Sequence, residues 1–262
     1  MTIREIMKRG PWTIQDTDTL GNAQQAMTQH RIRHLPVLCE GELVGMLSER
    51  DLLAARAHAD PDDRWWKMPV SVAMKPAETV DAADEVDIVA TRMGNSKLGA
   101  FAVVEAGKLA GVVSVIDILL AHTVAQRIAA PARTAADAMT AHPPTLRPEQ
   151  PLLAAVRLMC AQHIHELPVV DDTGHIIGMI TEADVRRRIG DPEAYLTARS
   201  PTSYDVQDVM DTGITPVLSS STIAELAHYF ADARIDALPV VDAQGTLLGV
   251  VSYLDTLNAL AS

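Results

Sequence analysis

Four times in 262 residues a Gly is followed three positions later by Ser or Thr and three further on by Asp. The Gly/Asp pairs are Gly45/Asp51, Gly111/Asp117, Gly178/Asp184 and Gly249/Asp255, so the aspartates fall 66, 67 and 71 residues apart. Met7, Met74, Met139 and Met210 keep nearly the same step. So do Leu35-Pro36-Val37, Phe101-Ala102-Val103, Leu167-Pro168-Val169 and Leu238-Pro239-Val240. Several markers recurring at one period mean copies of one structural unit. A unit of this size buries too little surface to be robust alone, so the copies are expected to pair.

The apolar pattern within a copy reads strand, helix, strand, strand, helix, with a short helical turn in front. In the first copy Ile3, Ile6 and Met7 form that turn, which Pro11 ends. Trp12-Thr13-Ile14 suits a short strand, and residues 16–19 offer N-caps for a helix with Leu20, Ala23 and Met27 on one face. Two further strands flank a hairpin turn at Gly41, and Ser48 caps a last helix carrying Asp51 and Leu52. Later middle helices carry Val86, Val89 and Met93, then Leu152, Val156 and Met159, then Ile223, Leu226 and Phe230. Their hairpins turn at Gly107, Gly174 and Gly245.

The copies are placed at residues 1–56, 70–122, 134–188 and 205–262, pairing as 1–122 and 134–262. Between them lie Asp60-Pro61-Asp62-Asp63 with Trp65-Trp66, Ala130-Pro131-Ala132, and Gly190-Asp191-Pro192 with Ser200-Pro201. Asp-Pro and aromatic elements at the first and third junctions suggest a pair that was duplicated. The tryptophans are expected to cover the core from the linker.

A net charge of −12 and 3% aromatic residues argue against nucleic acid as a partner. The charge is uneven: residues 1–133 carry net −2 and residues 134–262 net −10, so the first half is the better host for an anion. No apolar stretch is long enough to cross a bilayer, and the N-terminus does not resemble a signal peptide, so a cytoplasmic protein without membrane insertion is expected. Cys39 and Cys160, at unrelated positions in their copies, read as buried thiols. The chain lacks the Gly-x-Ser-x-Gly, P-loop and His-Glu-x-x-His signatures, and its four copies leave no room for a catalytic domain. We therefore expect no enzyme, no catalytic cofactor and no metal.

The run Ile32-Arg33-His34-Leu35-Pro36-Val37, with Gly45-Met46-Leu47-Ser48-Glu49-Arg50-Asp51, resembles a CBS domain, the cystathionine-β-synthase-type regulatory module. The third and fourth copies match nearly as well, while Gly99-Ala100-Phe101-Ala102 makes the second the most divergent. The resemblance implies an α+β fold of four β-α-β-β-α repeats paired into two Bateman modules. It also implies clefts for adenosine-containing ligands, chiefly AMP, ADP or ATP, with S-adenosylmethionine as an alternative. The same resemblance implies a regulated protein target, and a disc of stacked modules built either by one chain alone or by two as a homodimer.

Ser/Thr-x-x-Asp itself admits two readings. A carboxylate accepts hydrogen bonds from both hydroxyls of a ribose, beside a helix start that favours phosphate. The same spacing is a capping box, which needs no ligand; both roles are compatible. The candidate pairs are Ser48 with Asp51, Ser114 with Asp117, Thr181 with Asp184 and Ser252 with Asp255. By resemblance, Thr13, Ile14, Thr145, Leu146 and Pro36 line nucleotide pockets, and basic residues before Leu-Pro reach phosphate. Arg33, His34 and Arg50 make the first site strongest; His165 and Arg186 support the third, against Glu166. Asp117 and Asp255 lack cations nearby in the sequence, although a basic residue of repeat one is in a position to serve repeat two. One or two occupied sites are expected. His163-x-His165 invites a metal reading but lacks completing ligands, and Arg186-Arg187-Arg188 reads as a solvated helix end.

Overall fold

The computed structural model describes residues 1–58, 64–125, 133–197, 203–233 and 235–261. The segments Asp60-Pro61-Asp62-Asp63, Ala130-Pro131-Ala132 and Ser200-Pro201 lie outside them. The chain forms two compact units, residues 1–121 and 122–260.

Repeat one runs α1 (Ile3–Ile6), β1 (Lys8–Arg9), β2 (Ile14–Gln15), α2 (Leu20–His30), β3 (His34–Cys39), β4 (Glu42–Ser48) and α3 (Glu49–His58). Repeat two opens with 3-10 turns at Trp65–Lys67 and Val70–Val72. It continues as β5 (Thr79–Asp81), α4 (Val86–Ser96), β6 (Ala100–Glu105), β7 (Lys108–Ser114) and α5 (Val115–Ala125). The second unit begins with α6 (Ala135–Ala138), β8 (Thr140–Ala141), α7 (Leu152–Gln162), β9 (Glu166–Val170), β10 (Ile176–Thr181), α8 (Glu182–Ile189) and α9 (Pro192–Thr197). After a 3-10 turn at Val206–Asp208 come β11 (Val217–Leu218), α10 (Ile223–Ala233), β12 (Ala237–Val241), β13 (Leu247–Ser252) and α11 (Tyr253–Ala261).

Repeats one, two and four each build a small mixed sheet, and repeat three an antiparallel pair of strands. The first strand of each mixed sheet runs parallel to the second, as in Ile14 opposite Val37, Val80 opposite Val103 and Val217 opposite Val240. In repeat three the same contact is a single bridge, Leu146 to Val169. The second and third strands form the antiparallel hairpin, turning through a glycine at positive φ such as Gly41 at 88°. Thr19 starts α2 by accepting from the Asn22 N–H at 3.2 Å, and the helix buries Leu20, Ala23 and Met27 over the sheet. Each large apolar side chain so buried stabilises by about 1.5–3 kcal/mol.

In the four-stranded sheets of repeats two and four the fourth strand comes from the other repeat of the pair, and in repeats one and three the other repeat's leader adds a single bridge. The segment after Met7 forms β1, which pairs with β7 of repeat two, and Lys75 bridges back to Met46 of β4. In the second unit β8 pairs with β13, and Asp211 bridges to Met179 of β10. A glycine makes this approach possible. A Cβ on Gly45, Gly111, Gly178 or Gly249 would stand 2.8–3.0 Å from the leader's carbonyl oxygen and 2.6–3.0 Å from its methionine sulfur. The recurring Met and Gly are therefore two halves of one contact, repeated four times.

This exchange corrects the expected first copy. Its leading helix stops at Ile6, not Pro11, because Met7 turns extended to lie on Gly111. The strand after it is Ile14–Gln15, leaving Trp12 and Thr13 outside; Trp12 stacks on His30 at 3.7 Å. Trp65 packs against the repeat-one core, whereas Trp66 is exposed. Cys39 and Cys160 are in no disulfide and are half-buried rather than buried.

Candidate functional site

All four Ser/Thr-x-x-Asp motifs close the same capping box. The backbone N–H groups of Ser48, Ser114, Thr181 and Ser252 donate to Oδ2 of the aspartate three residues on at 2.9, 3.0, 3.0 and 2.9 Å. The hydroxyls donate to the same oxygen, and the aspartate N–H returns a bond to the hydroxyl. Both acceptor directions of Oδ2 are thereby taken, which leaves Oδ1 for anything else.

What meets Oδ1 differs among the repeats. In repeat one Lys75 Nζ, from the leader of repeat two, lies 2.7 Å from Asp51 Oδ1. In repeat two Lys8 Nζ, from the leader of repeat one, lies 3.3 Å from Asp117 Oδ1. Asp117 thus has the cation that its own repeat lacks, supplied across the pair. In repeat three Arg187 Nη1 donates to Asp184 Oδ1 at 2.6 Å. Among the described residues no cation pairs with Asp255.

The basic residues assigned to phosphate are partly engaged within the protein. Arg33 Nε lies 3.4 Å from Glu49, while Arg50 is exposed. His165 Nδ1 lies 2.6 Å from Glu182, which also accepts from Arg186 at 2.8 Å through Nε and 2.6 Å through Nη2. These bonds hold the Glu182 carboxyl down at about 2, with the hydrogen bond from His165 the largest cause. Arg187 and Arg188 are exposed in the last turn of α8, Arg188 lying over the Tyr204 ring at 4.3 Å, whereas Arg186 is half-buried against Glu182 and departs from the expected solvated helix end. His163 ends α7 at positive φ and lies outside β9, so the strand geometry that would aim it alongside His165 is absent.

The pocket-lining residues divide. Thr13 and Thr145 are exposed. Ile14 and Leu146 are buried in the cores of their repeats, so only their backbones are offered to a ligand. Pro36 is buried in β3 opposite Met46, and His34 lies opposite Ser48. Sequence reasoning did not name Lys8 or Lys75; their position directly after the periodic Met was the available signal. A separate open hollow of about 650 Å³ is lined by Glu78, Ile88, Thr91, Arg92, Asn95 and Ser96, none of them in these motifs.

Four paired α+β repeats, each with a carboxylate at the start of its last helix, define a tandem-repeat architecture. The CBS domain model matches residues 3–58, 70–123, 135–191 and 206–262, and the chain belongs to the CBS domain family. It is 26% identical to the uncharacterized protein MJ1404 of Methanocaldococcus jannaschii, over 99% of this chain and 62% of that one. It therefore spans less than two thirds of that relative. Inosine-5'-monophosphate dehydrogenase of Mycobacterium bovis is 35% identical over 120 residues, which are 45% of this chain and 20% of the enzyme. In fold the chain is similar to protein MJ1225 of M. jannaschii, with a TM-score of 0.76 and 20% identity over 98% of this chain and 99% of that one. No helix among the described residues is long and apolar enough to cross a membrane.

Proposed function

We propose that this chain is a regulatory protein that takes an adenosine-containing ligand, of AMP, ADP or ATP type, between paired repeats and passes the resulting change to a protein partner. The observation that carries this reading is the Asp51 carboxylate. It is 8% exposed, fixed through Oδ2 by its own helix start, and aimed through Oδ1 at a cation from the opposite repeat. A ribose hydroxyl pair needs such an immobilised acceptor, and the neighbouring lysine and arginines suit phosphate. Because the leader of each repeat pairs or bridges with the sheet of the other, a ligand touching both repeats would favour one packing over another. That differential affinity is what regulation requires.

The rival reading is a scaffold, and one observation favours it: all four motifs satisfy their capping role without a ligand. Native mass spectrometry of freshly purified protein, followed by titration calorimetry with an adenylate panel, separates the two. A co-purified or titratable adenylate supports the sensor; no heat with any adenylate supports the scaffold. Turnover of the bound nucleotide would contradict the non-catalytic reading.

Asp51→Asn separates cap from charge. The amide oxygen still accepts from Ser48, so the unfolding temperature should stay near wild type. AMP affinity at that site should fall roughly 10- to 100-fold through loss of charge-assisted bonds. Asp51→Ala should lose the affinity and also destabilise its unit by about 1 kcal/mol through the broken capping box. Calorimetry with thermal unfolding reads both, and unchanged AMP binding in the two variants would exclude Asp51 as a ligand residue.

A further inference from the structure

The residue after each leader methionine occupies one register position. Lys8 lies opposite Val112, Lys75 opposite Met46, Thr140 opposite Val250 and Asp211 opposite Met179; each partner directly follows the strand glycine. One backbone place therefore carries two lysines in the first unit, and a threonine and an aspartate in the second. Both lysines reach the carboxylate of the opposite repeat, and both pairs have the same lopsided exposure. The side chains are 76% exposed for Lys8 against 12% for Asp117, and 69% for Lys75 against 9% for Asp51.

We propose that Lys8 and Lys75 make the sites of residues 1–121 select phosphorylated nucleosides over unphosphorylated ones, a selectivity that the Asp255 site of the second unit, with no cation on its carboxylate among the described residues, lacks. This rests on the adenosine-ligand reading above and names the ligand class within it. The argument follows from which oxygen is left. Oδ2 is committed to the helix start, so a ribose hydroxyl pair needs both acceptor directions of Oδ1, one of which the ammonium already holds. A neutral nucleoside displaces the ammonium and offers it nothing in return. A nucleotide displaces it and supplies a phosphate as a new partner. The lysine stem is flexible and exposed, so the exchange needs no movement of the leader strand. Thr140 brings no charge to the corresponding place, and Asp211 brings a repelling one; its Oδ1 accepts from the Gly213 N–H at 2.8 Å.

Titration calorimetry of the full chain with AMP and with adenosine reads this as a ratio of affinities. Wild type should prefer AMP by about tenfold or more. In a Lys8→Thr/Lys75→Thr variant most of that preference should vanish, with AMP weakened and adenosine unchanged or tightened. Its unfolding temperature should stay close to wild type, because each aspartate keeps its hydrogen bonds to its own helix start. Thr140→Lys should add AMP preference to the second unit. An unchanged ratio in the double variant, or equal loss of AMP and adenosine, overturns the selectivity and leaves the adenosine-ligand reading standing. Absence of adenylate binding by wild type overturns both.

Discussion

Gly249→Val is expected to lower the stability of the unit formed by residues 122–260 by about 3 kcal/mol, the upper end for overpacking a filled site. Even the first added carbon, the Cβ, would stand 2.6 Å from the Met139 sulfur and 2.8 Å from the Thr140 carbonyl oxygen. The methionine is flexible and can swing aside, but the carbonyl belongs to the backbone of β8, which is paired with β13 at that point. The borrowed strand must therefore lift, exposing the edge of β13 and loosening the junction between repeats three and four. Removing the sulfur tests which atom matters. Gly249→Ala combined with Met139→Ala should recover only part of the loss seen in Gly249→Ala alone, because the Thr140 oxygen remains. Calorimetric unfolding checks the prediction. A change within about 0.5 kcal/mol for Gly249→Val would mean that the leader does not sit on this glycine.

The same contact shows where sequence reasoning reached and where it stopped. Helix faces such as Leu20, Ala23 and Met27, and hairpin turns such as Gly41, are local patterns whose period reports burial directly. The periodic Met and Gly were equally visible, yet their meaning was hidden. The two residues that touch come from different repeats, and the strand between Met7 and Gly10 is only two residues long. A two-residue strand has no alternation to read. The partner of Lys8 is Val112, far along the chain, so only the pairing of whole repeats brings them together.

Charge followed the same rule. Lys75 and Lys8 were not candidates because neither lies near an aspartate motif in sequence, although service across the pair was anticipated in general terms. Arg33 and His165 were assigned to phosphate, but each faces the glutamate that opens the next helix, Glu49 and Glu182. The strand before the hairpin and the helix after it meet at their ends. The Glu49 N–H donates to the Arg33 carbonyl at 2.9 Å, and the Glu182 N–H donates to that of His165 at 2.7 Å. That backbone closure sets the side chains against each other, and no local spacing announces it.

Glu182→Gln should destabilise the second unit by about 2–3 kcal/mol near neutral pH, because the carboxylate accepts from both His165 and the sheltered Arg186 guanidinium. Arg186 is the critical partner. Its side chain is 18% exposed, its Nη1 is buried without a hydrogen-bond partner, and its other two nitrogens both rest on Glu182. A neutral amide leaves that guanidinium sheltered and uncompensated. The sign of the pH dependence follows from the carboxyl lying at about 2 in the fold, against 4.5 for the free side chain. The unfolded chain therefore takes up the proton first as pH falls. The contribution of Glu182 is complete above about pH 5, declines through the window between 4.5 and 2, and is gone below it, at most about 3 kcal/mol in all. Acid unfolding of wild type should accordingly steepen in that window, and Glu182→Gln should flatten it by roughly one proton's worth of slope. Denaturant titrations of both proteins from pH 7 to pH 3 measure this directly. Parallel curves for the two would show that Glu182 does not carry the acid sensitivity of the second unit.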